Sequence, residues 1–188
     1  MRILRLAKAA AAAATIALSA SSAQAAGGGI HYESQEWSFS GIFGTIDHAA
    51  AQRGYQVYKD VCAGCHSMNL LSFRNLEGIG VPEHTIKVLA SEAEIESING
   101  DGEVVMRQRL PSDPFPAPFA NPQAARASNN GALPPDLSLM AKARANGPNY
   151  LFALLTGYQE APGDMTMSEG MYYNAAFPGH QIAMAPPL

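Results

Sequence analysis

Cysteine occurs only twice in this chain, and both copies fall in one pentapeptide, Cys62-Ala63-Gly64-Cys65-His66. A disulfide between them would close a loop of two residues and constrain almost nothing, so the pair is no structural staple. Zinc would need two further ligands at suitable spacing, and no second cysteine pair or His-x-His cluster supplies them. A thioredoxin-like dithiol would follow a strand in a βαβ pattern, which the neighbouring residues do not suggest. The histidine decides the matter, because C-x-x-C-H is the attachment pattern of a c-type haem. On the first turns of a helix the two thiols can reach one porphyrin edge, and the adjacent imidazole can swing under the iron. Ala63 and Gly64 leave room for the ring. The motif therefore predicts one covalently attached haem c on Cys62 and Cys65, with His66 as an iron ligand.

The N-terminus places this chemistry outside the cytoplasm. Arg2, Arg5 and Lys8 precede an apolar run from Ala9 to Ala20, and Ala23-Gln24-Ala25 offers a small-residue cleavage site. The run is about 12 residues long and mostly alanine, short of the roughly 20 strongly apolar residues of a membrane span. Residues 1–25 thus read as a secretory signal peptide and residues 26–188 as one exported domain. Taking those three basic residues from the 12 Lys and Arg leaves 9 against 16 Asp and Glu, a net charge near -7. Such acidity disfavours nucleic acid and favours a basic protein partner. Hydrophobic residues make up 47% of the chain, enough for a core, while 13 prolines and 17 glycines require many turns and irregular connections.

Caps and periodicity predict a mainly helical fold. Asp47 caps a helix running through Tyr55 and Tyr58 to Val61, directly before Cys62. Gly54 and Tyr58 share a face of it, where glycine would permit another helix to approach closely. Residues 83–98 read as a helix with Ile86, Leu89, Ala90, Ala93 and Ile98 as its stripe. Glu92, Glu94, Glu96, Asp101 and Glu103 crowd its end, either as a solvated face or as a docking patch for a basic partner. Pro111, Pro114, Pro116, Pro118 and Pro122 exclude a helix interior or central strand and predict an extended surface connection. Asn121 opens a short helix through Arg126, and Asp136 another through Met140 to Arg144. Pro148 and Gly157 bracket a further helix. No internal repeat and no series of alternating strands is visible.

A second iron ligand must come from elsewhere. Methionine sulfur opposite histidine makes an electron-transfer haem and raises its potential. Beyond the leader the candidates are Met68, Met106, Met140, Met165, Met167, Met171 and Met184, most of them packing residues. Met184 stands out because Met184-Ala185-Pro186-Pro187 lies on a rigid, non-helical backbone, and His180 competes with it. His31, His48 and His84 read as surface or satisfied polar residues.

Blocks covering most of the chain from Trp37 to Leu188 resemble the cytochrome c1 family, the haem subunits of ubiquinol:cytochrome c oxidoreductase (the cytochrome bc1 complex). They include Phe39-Ser40-Gly41-Ile42-Phe43-Gly44, Arg53-Gly54-Tyr55-Gln56-Val57-Tyr58, the haem motif followed by Ser67-Met68, and Asn121-Pro122-Gln123-Ala124-Ala125-Arg126. Asn130-Gly131-Ala132-Leu133-Pro134-Pro135-Asp136-Leu137-Ser138, Leu154-Leu155-Thr156-Gly157-Tyr158, Phe177-Pro178-Gly179 and Ile182-Ala183-Met184-Ala185-Pro186-Pro187-Leu188 complete the match. General c-type cytochromes share only the pentapeptide. The resemblance implies a mainly α, cytochrome c-like fold around one covalent haem, with long Pro/Gly-rich insertions. It implies His66 and Met184 as iron ligands, Arg144 and Tyr150 beside a haem propionate, and Leu133, Pro134 and Pro135 lining the haem crevice.

The resemblance further implies a helix and a membrane anchor after Met184, whereas this chain stops four residues later. A fragment of a longer protein is therefore expected, or attachment through partner subunits. The implied function is electron relay on the periplasmic face of a bacterial inner membrane. A Rieske iron-sulfur protein would be the donor and a soluble basic c-type cytochrome the acceptor, within a complex that includes cytochrome b. The chain itself would do no bond-making chemistry. An exported haem peroxidase or gas sensor would need an open iron position with distal polar groups. A structural haem protein would have a haem edge that no partner can approach.

Overall fold

The computed structural model describes residue 30 and residues 32–188. The expected leader and His31 lie outside the described residues. Helix α1 (His48–Asp60) begins where Asp47 accepts the amide of Ala50 and leads into a single 3-10 turn, Cys62–Gly64. The haem motif thus sits on a tight turn after a helix, not on the first turns of one. A second 3-10 segment, Phe73–Ile79, ends at Gly80, whose φ of 78° is the left-handed conformation glycine adopts readily. It is followed by α2 (Glu83–Ser91). Next come β1 (Glu94–Ile98) and β2 (Val104–Gln108), then α3 (Pro122–Ser128), α4 (Met140–Ala143) and α5 (Gly147–Thr156). A small hairpin of β3 (Tyr172–Tyr173) and β4 (Gln181–Ile182) precedes the last residues.

Residues 32–188 form one compact unit. Its main core joins Phe73 and Leu76 of the 3-10 segment to Ile86 and Ala90 of α2, with Val81 between them. Phe115 completes that cluster at 5% exposure, with its ring centroid 4.9 Å from Phe73, 5.9 Å from Tyr55 and 6.1 Å from Tyr58. One phenyl group therefore ties α1 to the rest, and burying such a ring contributes about 1.5–3 kcal/mol. The proline-rich connection is extended, as its composition requires, but through Phe115 it is part of the core as well as of the surface.

Two further expectations need correction. The helix read from Glu83 ends at Ser91, and residues 94–98 instead form a strand paired antiparallel with 104–108, from Glu94 opposite Gln108 to Ile98 opposite Val104. The acidic residues beyond Glu92 accordingly lie on a hairpin and its turn. Asp136 opens no helix, since α4 is confined to Met140–Ala143. Gly54 is exposed, and a Cβ built there would meet nothing within 4 Å, so no helix packs against it among the described residues. The caps were read correctly at Asn121, whose side chain accepts the Ala124 amide, and at Gly157, which ends α5. Among the described residues no helix is long and apolar enough to cross a membrane.

Candidate cofactor site

The pentapeptide is held as a closed turn by its own backbone, with the amides of Cys65 and His66 both donating to the Cys62 carbonyl at 3.1 and 2.9 Å. Both cysteines are free thiols, Cys62 half-buried and Cys65 exposed. Burial, and then the neighbouring Cys65, push the Cys62 thiol above its ordinary range. Among the described residues no group of three or more His, Cys, Asp or Glu side chains could hold a metal ion, so the two thiols belong to no zinc cluster there.

The His66 ring lies with Nδ1 2.8 Å from the backbone oxygen of Pro135. A carbonyl oxygen can only accept, so Nδ1 carries a proton, and in the neutral tautomer with that proton the Nε2 lone pair is the one left free. This bond also fixes the ring plane, as hydrogen-bonded partners of metal-ligating histidines do.

Pro135 is itself positioned by a set of hydrogen bonds between residues 66–70 and 135–138. The Asp136 carboxylate accepts from the Ser67 hydroxyl, from the Asn69 amide and from the Ser138 amide, each at 2.8 Å. The Leu137 amide donates to the Ser67 carbonyl at 2.8 Å, and the Leu70 amide to the Ser138 hydroxyl at 3.1 Å. Burial alone would raise the Asp136 pKa, but the donors outweigh it and hold the group at about 2. Tyr58 lies close by, its hydroxyl donating to the His66 carbonyl at 3.4 Å; burial first, then Asp136, push its pKa up to about 12.

Beside the turn opens a cleft of about 320 Å³, lined by Cys65, Ser67 and Asn69 on one side and by Leu133, Pro134, Ala125 and residues 117–122 on the other. Its wall joins Pro, Ala, Phe and Leu side chains to Ser67, Asn69 and Asn121, with Pro122 and Ala125 of α3 among them, and the apolar part is the kind of surface that accepts a flat hydrophobic ring. The donor set suits a covalently held porphyrin: two free thiols, an imidazole with one nitrogen pinned and the other open, and apolar side chains next to them.

Met184, Tyr150, Arg144 and His180 are not among the residues that line that cleft. Met184 is half-buried just beyond β4, where its carbonyl accepts the Tyr158 hydroxyl at 2.9 Å. Tyr150 is buried at 7% exposure, with its ring edge-on to Tyr32. Arg144 is exposed, its guanidinium donating to the Ala143 carbonyl at 3.3 Å. His180, the competing ligand, stacks on Tyr173 at 5.7 Å, with Nδ1 3.3 Å from the Asn174 carbonyl. Reading from residues alone gave Asp136 only a helix start and Tyr58 only a packing face, and named Tyr158 only within the family resemblance. The signal for Asp136 was available in part, since an aspartate side chain commonly accepts the backbone amide two residues on, here that of Ser138.

The comparisons with known proteins agree with these features. The Cytochrome C1 family matches over residues 37–188. Cytochrome c1 1, heme protein, mitochondrial, of Arabidopsis thaliana is 50% identical over 157 residues, covering 83% of this chain and 51% of that protein. Cytochrome c1 of Rhodospirillum rubrum is 44% identical over 182 residues, covering 88% of this chain and 67% of its own length. The Candida albicans cytochrome b-c1 complex catalytic subunit, mitochondrial, is 46% identical over 162 residues, 85% of this chain and 56% of that one. The chain spans about half to two thirds of the length of these relatives. With the family model matching residues 37–188, a span that includes the pentapeptide, the Pro135 segment and Met184, the chain belongs to the cytochrome c1 family.

Proposed function

We propose that this chain is the haem-bearing electron carrier of a cytochrome bc1 complex, with one haem c attached through Cys62 and Cys65. The observation that carries the reading is the 2.8 Å contact between His66 Nδ1 and the Pro135 carbonyl, which leaves Nε2 open beside two free thiols. Once attached, haem supplies a one-electron iron couple. The protein's part would be to hold that iron through His66 Nε2 and the Met184 sulfur and to exclude water with Leu133, Pro134 and Pro135. Thioether and imidazole together favour the reduced iron and raise the potential. Arg144 and Tyr150 are the groups proposed to meet a propionate, the guanidinium being suited to bidentate pairing with a carboxylate.

The proposed route is a single electron from a Rieske iron-sulfur protein through this haem to a soluble, basic c-type cytochrome. It would run at the periplasmic face of a bacterial membrane, with cytochrome b in the same complex. Relatives named as a cytochrome b-c1 complex subunit and as cytochrome b/c1 support that setting. So does the acidity of the domain beyond the leader, which suits a basic acceptor.

Pyridine haemochrome spectra of the denatured, purified protein test the attachment. Covalently retained haem is expected in the unaltered chain. Cys62→Ser or Cys65→Ser should leave a single thioether and a shifted spectrum, and the double variant should lose its haem to acid-acetone extraction. Haem that extracts freely from the unaltered chain would overturn the proposal.

A further inference from the structure

The side chain of Asn174 is the most completely enclosed polar group among the described residues, with 0% exposure. Every polar atom on it is used. Nδ2 donates to the Leu154 carbonyl in α5 at 2.8 Å, and Oδ1 accepts the Ala176 amide at 2.9 Å. Its own amide donates to the His180 carbonyl at 3.0 Å, across the loop that joins β3 to β4, and its carbonyl accepts the Phe177 amide at 3.2 Å. Asn174 also bridges Tyr158 as an isolated antiparallel pair, and the next amide, Ala175, donates to the Gly157 carbonyl at 2.9 Å. The approach is close enough that a Cβ on Gly157 would stand 3.0 Å from Asn174 Oδ1 and 2.5 Å from the Ala153 carbonyl. The β3–β4 hairpin is thus bolted at its base to the end of α5. From that same helix end Tyr158 reaches 26 residues along the chain to donate its hydroxyl to the Met184 carbonyl at 2.9 Å.

We infer that Asn174 and Tyr158 are positioning residues for Met184, fixing the distal methionine segment to the end of α5 at two points. The inference rests on the reading of Met184 as an iron ligand and adds what holds it there. The physical need is plain: a thioether is a weak, neutral ligand, easily displaced by a better donor. A loop free to swing would yield its sulfur to any small competitor. A buried amide with all its hydrogen bonds made resists that motion, because moving it would strand the Leu154 carbonyl and the Ala176 amide inside the protein. Tyr158 supplies the second point, on the backbone of Met184 itself.

Imidazole titration of the oxidised, haem-loaded protein tests the inference, read through the methionine-to-iron charge-transfer band. Tyr158→Phe removes one hydroxyl and keeps the ring. It should bind imidazole about fivefold more tightly than the unaltered protein, the factor corresponding to one net hydrogen bond of about 1 kcal/mol. Its pyridine haemochrome spectrum should stay unchanged. Asn174→Asp keeps an acceptor for the Ala176 amide but loses the donor to Leu154, and should be displaced more easily still; if it does not fold, Tyr158→Phe decides alone. Met184→Leu separates the two levels of the argument. A band that survives in Met184→Leu overturns the ligand assignment and this inference with it. A band lost in Met184→Leu, while Tyr158→Phe matches the unaltered protein in imidazole affinity, overturns the positioning role alone.

Discussion

Asp136 shows how much of the site depends on one carboxylate that touches no cofactor. It draws together Ser67, Asn69 and Ser138, and through them sets the Pro135 carbonyl opposite His66. Its pKa falls from an ordinary 3.8 to about 2 in the folded protein, so its contribution to stability is complete above about pH 4 and is lost as pH drops toward 2. Asp136→Asn should cost about 1–3 kcal/mol at neutral pH, because the amide sets a donor against one of the three donors now satisfied. Urea unfolding of both proteins from pH 7 down to pH 2.5 checks the sign: the gap should be constant to about pH 4 and then narrow. Asp113, held low by Arg107 and the Leu110 amide, titrates in the same window but is common to both proteins and cancels. A gap that persists undiminished at pH 2.5 would show that ionised Asp136 is not its source. At this scale the pentapeptide was legible because its chemistry is local. The carbonyl facing His66 lies 69 residues away, and its segment was singled out only through the family resemblance. No spacing rule connects residues so far apart.

At the scale of elements, legibility followed the caps. Asp47, Asn121 and the Pro148–Gly157 pair each mark a helix end by a side chain or ring whose effect is confined to one turn, and each marks an observed helix. The hairpin was missed because Ile86, Leu89 and Ala90 begin a true helical stripe whose spacing Ala93 and Ile98 continue. Two signals oppose that extension: the alternation of Glu94-Ile95-Glu96-Ser97-Ile98, and Asn99-Gly100-Asp101-Gly102, a doubled turn signature. Gly102 takes a φ of 82°, which other residues adopt at a cost. Asn99 closes the turn, its Oδ1 accepting the amides of Asp101 and Glu103 at 3.0 and 2.9 Å. A two-stranded ribbon is marginal alone, and this one leans on Arg109, which donates to the Glu94 and Pro114 carbonyls. Asn99→Ala should therefore loosen the ribbon by about 1 kcal/mol without reaching the haem. Hydrogen exchange is the direct measurement: amides of residues 94–108 should exchange about fivefold faster, while those of α1 and the visible spectrum stay unchanged. Equal protection in the two proteins would mean that the ribbon is held by its base and not by its turn.

The hairpin also redistributes charge over the whole molecule. On a helix Glu94 would point away from Glu92 and Glu96, whereas in β1 Glu94 and Glu96 lie two apart and share one exposed face. Glu92 is already engaged, 2.6 Å from Lys59, and Glu103 accepts the side-chain amide of Asn99 at 3.1 Å. Of the five acidic residues, then, only Glu92 is paired with a cation, and Glu94, Glu96 and Asp101 are the three whose side chains make no hydrogen bond or ion pair among the described residues. If a basic cytochrome docks on this side, opposite charges raise the encounter rate and orient the two proteins, and mobile ions screen that attraction over about 10 Å at 0.1 M salt. Replacing Glu94 and Glu96 by Gln and Asp101 by Asn should lower the second-order rate of electron transfer to a basic c-type cytochrome about three- to tenfold at low ionic strength. The salt dependence should flatten, so that the rates converge at high salt, while the haem potential stays the same because no charge next to the pentapeptide has changed. Stopped-flow mixing over a series of salt concentrations reads all of this at once. Glu92→Gln serves as the contrast, since it leaves Lys59 unpaired and removes little free field. A triple variant whose rate and salt slope match those of the unaltered protein would assign the hairpin to solvent and place the docking surface on another side of the molecule.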